Sequence, residues 1–126
     1  MKNLKHFTVI AAIYGLLAVI LGAFGAHALE ARLAESATRA VWATAVDYQM
    51  WHALALLFLA ASGLRKRAAT VAAVLFCVGV PLFSGSLYWL ALDGPRWLGP
   101  ITPLGGLALI GGWALLILAA VRPSDE

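Results

Sequence analysis

The sequence predicts an all-α integral membrane protein of four transmembrane helices, with a short amphipathic interfacial helix between the first and second. Three observations carry that expectation. Of 126 residues, 63% are hydrophobic and only 12% are charged. The mean hydropathy is +0.89, and a chain this short has too much surface for its volume to hide so much apolar side chain from water. The apolar residues also fall into four runs, each near the roughly 20 residues that a helix needs to cross about 30 Å of hydrocarbon. The runs are residues 7–29, 41–64, 69–92 and 101–121, and they fill one domain, 1–126.

The first run follows Lys2 and Lys5 and ends in GAFGAHAL, residues 22–29. A basic start, an apolar stretch and the Ala26-His27-Ala28 site also describe a secretory leader. The apolar stretch from Phe7 through Phe24 exceeds the roughly 7–15 residues of a leader and is long enough to span, so a retained helix is expected. Along it Ala11, Gly15, Ala18, Gly22 and Ala26 recur every three or four residues and form a stripe almost without side chain. Such stripes let backbones approach in lipid, where association rests on van der Waals contact. Gly105, Ala108 and Gly112 make a shorter stripe in the fourth run. The two stripes are expected to pack on each other or across a subunit boundary.

Between the first two runs lies LEARLAESATRA, residues 29–40. Its Leu29, Leu33, Ala37 and Ala40 fall at helical spacing among charged residues, the pattern of a helix lying in the membrane interface. In the second run Thr44, Tyr48 and His52 follow at i, i+4 and form one ridge, with Gln49 beside His52. Asp47 lies about 100° to the side of Tyr48, within reach of the outer interface, where Arg39 is available to pair with it.

The RKR turn, Arg65 to Arg67, makes the second and third helices antiparallel neighbours. In the third run Pro81 lacks an N–H and clashes with the carbonyl of Cys77, which predicts a kink and a freed carbonyl. Cys77, Pro81, Ser84 and Tyr88 share a ridge, so that carbonyl and the Ser84 hydroxyl are offered to water, a cation or an imidazole N–H. Ser86 is expected to bond back to a carbonyl one turn earlier. A proline-rich loop, residues 93–103, then leads to the fourth run.

Lys2, Lys5, Arg65, Lys66, Arg67 and Arg122 fall on one side, against Arg32, Arg39 and Arg96 on the other, which places both termini in the cytoplasm. Trp42, Trp89 and Trp97 then gather near the outer interface. The net charge of +3 therefore marks membrane orientation and implies no nucleic-acid partner. The single cysteine, Cys77, sits inside an apolar run and reads as a packed thiol.

The stretches GAFGAHAL, TAVDYQMWHALALL, LFSGSLYWLAL and ITPLGGLALIGGWALL together resemble the YgdD/YwdK-type family of small four-helix inner-membrane proteins, catalogued as a domain of unknown function. The resemblance implies the four-span fold and the inner membrane. It implies no activity.

The candidate polar core consists of His27, Tyr48, Gln49, His52, Ser84 and Tyr88. An ionisable group inside a membrane span is by default a functional site. Three uses of the histidines compete: structural groups bonded to Gln49, Tyr88 or a carbonyl; proton or ion contacts on a hydrated path with Gln49 and Ser84; and ligands to a haem or metal. Ligation fits least, because His27 ends its span while His52 lies several residues into the next and no further ligands cluster there. No metal and no cofactor is expected. Nor is enzyme catalysis, because no nucleophile–base spacing is present and the chain leaves little outside the membrane to hold a substrate. The leading expectation is a structural or accessory membrane protein, homo-oligomeric or a subunit of a larger complex in the lipid bilayer. The alternative is a small channel or transporter-like oligomer conducting protons, ions or a small solute past His52.

Overall fold

The computed structural model describes residues 2–64 and 67–122. Those residues fold into four helices and, among them, no strand. The first helix is Lys2–Ala26 and the second Ser36–Ala61. The third, Arg67–Ala91, is α-helical over Arg67–Val80 and Ser86–Ala91, with a π turn at Pro81–Gly85 between them. A 3₁₀ turn at Arg96–Leu98 leads into the fourth helix, Ile101–Val121.

The second helix stops at Ser62–Gly63, where Gly63 adopts φ +76°, the left-handed conformation that ends helices and that glycine alone adopts freely. Ser62 stabilises the exit: its hydroxyl donates to the Leu59 carbonyl at 3.0 Å and accepts from the Leu64 N–H at 3.2 Å. Arg65 and Lys66 of the expected turn lie outside the described residues.

Three segments are both long and apolar enough to cross a membrane: Lys5–Ala26, Arg67–Ala91 and Arg96–Val121. The second helix is long enough at 26 residues. It is less apolar because Arg39, Asp47, Gln49 and His52 interrupt it. Large apolar side chains cover the outside, among them Leu16, Leu54, Phe58, Ile110 and Ile117, each more than half exposed. Apolar surface on that scale fits hydrocarbon and not water.

The helices pack in chain order, first on second, second on third and third on fourth; among the described residues the first and fourth do not meet. The small-residue stripes therefore do not pack on each other. Each receives the large side chains of its sequence neighbour. Ala11 and Ala18 are buried, Gly22 meets Val46, and a Cβ at Gly25 would collide with the Trp42 indole. Gly25, seven residues beyond Ala18, takes the inward place expected of Ala26, which is exposed. The helical period is the reason: after two heptads the inward face has returned to residue 25. Gly15 has open space around it and contributes no close approach.

In the fourth helix a Cβ at Gly105 would land on the Phe83 backbone, and one at Gly112 would come within 2.5 Å of the Phe76 ring. Ala108, between them, is half-buried. Phe76, with Leu56, Leu59, Val80 and Leu109, forms the main core.

The connector after the first helix corrects the expectation of an amphipathic helix. Residues 27–33 form successive turns, with the Leu29 N–H on the Phe24 carbonyl at 2.8 Å and the Leu33 N–H on the Leu29 carbonyl at 2.9 Å. Residues 36–40 belong to the second helix. So short a segment gains too few hydrogen bonds to offset helix nucleation. Its shape is set instead by Leu33, buried with Trp42 and Ala91, and by Arg39, which donates to the Ala34 carbonyl at 2.6 Å.

Candidate functional site

The polar centre begins at the break in the third helix. Pro81 has no N–H to give the Cys77 carbonyl, and the backbone widens there into the π turn, as inserted prolines and π bulges do. The freed Cys77 carbonyl accepts the Tyr14 hydroxyl at 2.5 Å. The first helix thus supplies the donor that the third helix lacks.

The backbone carbonyl of Tyr14 in turn accepts from Gln49 Nε2 at 2.8 Å. A carbonyl only accepts, so the amide nitrogen must face it and Oε1 must point away. Oε1 takes the Tyr88 hydroxyl at 2.7 Å. One chain of bonds therefore runs from the first helix through Gln49 of the second to Tyr88 of the third. Nearer the connector, the Tyr88 and Trp42 rings meet in a T-shaped contact with centroids 4.8 Å apart, and the Trp42 indole donates to the Leu21 carbonyl at 2.9 Å.

Two serines add separate ties. Ser84, 1% exposed, donates to the Ala45 carbonyl of the second helix at 2.7 Å. Ser86 bonds back to the Phe83 carbonyl at 2.9 Å, as expected, and also meets the Thr102 hydroxyl of the fourth helix at 2.6 Å.

His52 closes the set from the other side. Trp113 Nε1, which can only donate, points at His52 Nε2 at 2.9 Å. That nitrogen must therefore carry its lone pair, and the proton sits on Nδ1, which faces the Tyr48 carbonyl at 2.7 Å. Both ring nitrogens are used and the neutral tautomer is fixed. The imidazole also meets Phe76 edge-on at 5.3 Å. Gln49 and His52 are each 4% exposed, and among the described residues no buried side-chain nitrogen or oxygen lacks a hydrogen-bond partner.

Residues 21–106 match the family model described as "Protein of unknown function (DUF423)". The chain belongs to this DUF423 family. It is 46% identical over 122 residues to the UPF0382 membrane protein YwdK of Bacillus subtilis (strain 168), covering 94% of this chain and 98% of that one. It is 41% identical over 121 residues to the UPF0382 inner membrane protein YgdD of Escherichia coli (strain K12), covering 94% and 91% respectively. No solved structure matches the chain. The DUF423 match takes in Gln49, His52, Pro81, Ser84 and Tyr88 and stops short of their partners Tyr14 and Trp113.

In this DUF423 protein the expected core residues separate into bonded and unbonded groups. Gln49 bonds Tyr88 directly, while Ser84 and His52 are bonded to other partners. Tyr48 lends its carbonyl to His52 and its ring to Phe83, 4.7 Å away. His27 does not join them: it is exposed in the turn after the first helix. Gln49 is level with Tyr14, so His27, thirteen residues further along the first helix, lies roughly 20 Å from that level. Among the described residues no three potential metal ligands cluster. Arg39 is spent on the connector carbonyls and does not pair with Asp47, which is exposed on the second helix.

Tyr14, Trp42, Thr102 and Trp113 are the partners that sequence reasoning missed. Tyr14 stands on the stripe read as free of side chains. Trp113 directly follows the Gly111–Gly112 pair, whose absent side chains make room for Leu75 and Phe76.

Proposed function

We propose that this chain is a four-span protein of the bacterial inner, or plasma, membrane with both termini cytoplasmic, acting as a structural or accessory subunit of a membrane assembly. One observation carries the accessory reading: the buried polar side chains bond to one another and to backbone carbonyls, with both nitrogens of His52 occupied. Groups so committed fix helices in register and have no capacity left for moving a proton or binding an ion. On the same ground the chain is read as non-catalytic.

The subunit part of the proposal draws support from Asp47. Its carboxylate is exposed near the middle of the second helix. In hydrocarbon such a group is costly unless protein or water meets it. The Asp47 face, with Ala43, is therefore the surface assigned to a second copy or another membrane protein. The glycine stripes are already covered within the chain and do not supply that contact. The reading of the second helix as a fourth span rests on its bonds to the first at Tyr14 and Leu21.

Reconstitution tests the proposal. Purified protein in liposomes is expected to pass no protons or alkali cations above the level of empty liposomes. Extraction in mild detergent is expected to yield a species larger than the monomer, which Asp47→Lys dissociates. Flux that His52→Leu removes while the assembly persists would establish the conducting alternative instead.

A further inference from the structure

Tyr48 and His52 form part of one wall of a lateral groove of about 430 Å³, completed by Trp51, Phe83, Gly106 and Trp113 among others. That volume falls in the range of small-molecule sites. The groove is half open, and its rim residues Trp51, Ile110 and Trp113 are exposed on the apolar outside of the protein. A ligand therefore reaches it through the bilayer and not from water. Its walls are mostly aromatic, with Tyr48 and Phe83 rings 4.7 Å apart and His52 and Trp113 rings 5.8 Å apart. Rings prefer offset or edge contact with other rings.

Two details narrow the occupant. The Tyr48 hydroxyl makes no hydrogen bond with any described residue, whereas Tyr14 and Tyr88 both do. Tyr48 sits at the middle of the second helix, twelve residues from one end and thirteen from the other, about 18–20 Å from either. An unpaired hydroxyl in hydrocarbon is unfavourable. A saturated acyl chain offers it no acceptor. Gly106 is the second detail. Gly105 is required by the close approach of Phe83, but a Cβ at Gly106 would meet that ring at an ordinary 3.7 Å. Packing does not demand glycine at 106. Glycine there leaves the groove open, and a large side chain such as leucine would occupy part of it.

We propose that this groove binds a membrane-soluble ring compound bearing a carbonyl and an apolar tail, the chemistry of an isoprenoid quinone, with Tyr48 donating to the carbonyl. This rests on the second helix being a span and is independent of the accessory role.

The test is photolabelling of the full chain in liposomes with a decyl-tailed azidobenzoquinone, mapped by mass spectrometry. Label is expected at Trp51, Ile110 and Trp113, saturable, and competed by decylbenzoquinone about tenfold better than by decylbenzene, which lacks the acceptor. Gly106→Leu is expected to abolish the label, and Tyr48→Phe to bring the two competitors level. Tyr48→Phe keeps every ring contact and so stays informative if Gly106→Leu fails to fold. Equal competition against the unaltered chain, label spread over all lipid-facing helices, or a tenfold preference that survives Tyr48→Phe would overturn the assignment. The span itself is checked separately by cysteine accessibility, so failure of the site and failure of the topology are told apart.

Discussion

Gln49 joins three helices through one amide, which makes it the residue whose loss is most informative. Gln49→Leu keeps the bulk, removes the bonds to Tyr14 and Tyr88, and strands the Tyr88 hydroxyl. Interhelical bonds in membranes average about 0.6 kcal/mol and reach about 1.7, so a loss of about 1–2 kcal/mol is expected in detergent-titrated unfolding. Tyr88→Phe added to Gln49→Leu should cost little more, because the shared bond is already gone; strict additivity in that double-mutant cycle would disprove the pairing. His52 offers a spectroscopic check. Nitrogen NMR on labelled protein in bilayers is expected to find Nδ1 protonated and Nε2 not, and Trp113→Phe should shift the Nε2 resonance while leaving Nδ1 on the Tyr48 carbonyl. Gln49 and His52 were legible in the sequence because polar atoms stand out in an apolar run. Their partners were not: Gln49 takes the backbone carbonyl of Tyr14, a group that every residue carries, and Trp113 counts as apolar by composition with a single polar atom. His27 matched His52 in type, but its place in the sequence, at the end of the first run, already set it at a different depth.

Between elements, large side chains seat against missing ones. A stripe of small residues announces that some helix comes close, and the sequence showed both stripes; which helix comes close depends on complementary bulk elsewhere, here Trp42 and Val46 for the first and Phe76 and Phe83 for the fourth. The same contacts rank the glycines. Gly105→Ala drives a methyl into the Phe83 backbone, which cannot rotate away, and the expected loss is about 1–3 kcal/mol or more. Gly15→Ala meets open space and replaces glycine by the best helix former, so its effect should lie between zero and a gain of about 1 kcal/mol. Similar losses for both variants in one unfolding series would refute this account of the helix contacts. The break at Pro81 was likewise legible, because a missing N–H is a property of the residue. The phenol that answers it comes from 63 residues away, and no local pattern contains it.

At the scale of the whole molecule, the proposed topology turns on the second helix, whose composition falls short of the other three. Its polar side chains explain the shortfall. Gln49 and His52 point inward and are bonded, while Leu54, Leu57 and Phe58 form much of the exposed face, which also carries Arg39 and Asp47. An average along the helix mixes those two faces, and on the proposed topology only the outer one touches lipid. The first helix is long and apolar enough to cross, and the second is tied to it at mid-height by Gln49 and again by Trp42. On the proposed topology the two helices, bonded at both levels, cross together. Single cysteines in a Cys77→Ser background decide the matter in intact cells. Cysteines at Lys2, Gly63 and Glu126 should resist a membrane-impermeant maleimide until the cells are opened, and those at Ala34 and Gly94 should react from outside. Protection at Ala34 together with reaction at Gly63 would reverse the orientation. Reaction at Gly63 and Ala34 alike from outside would leave the second helix on the surface and remove the fourth span.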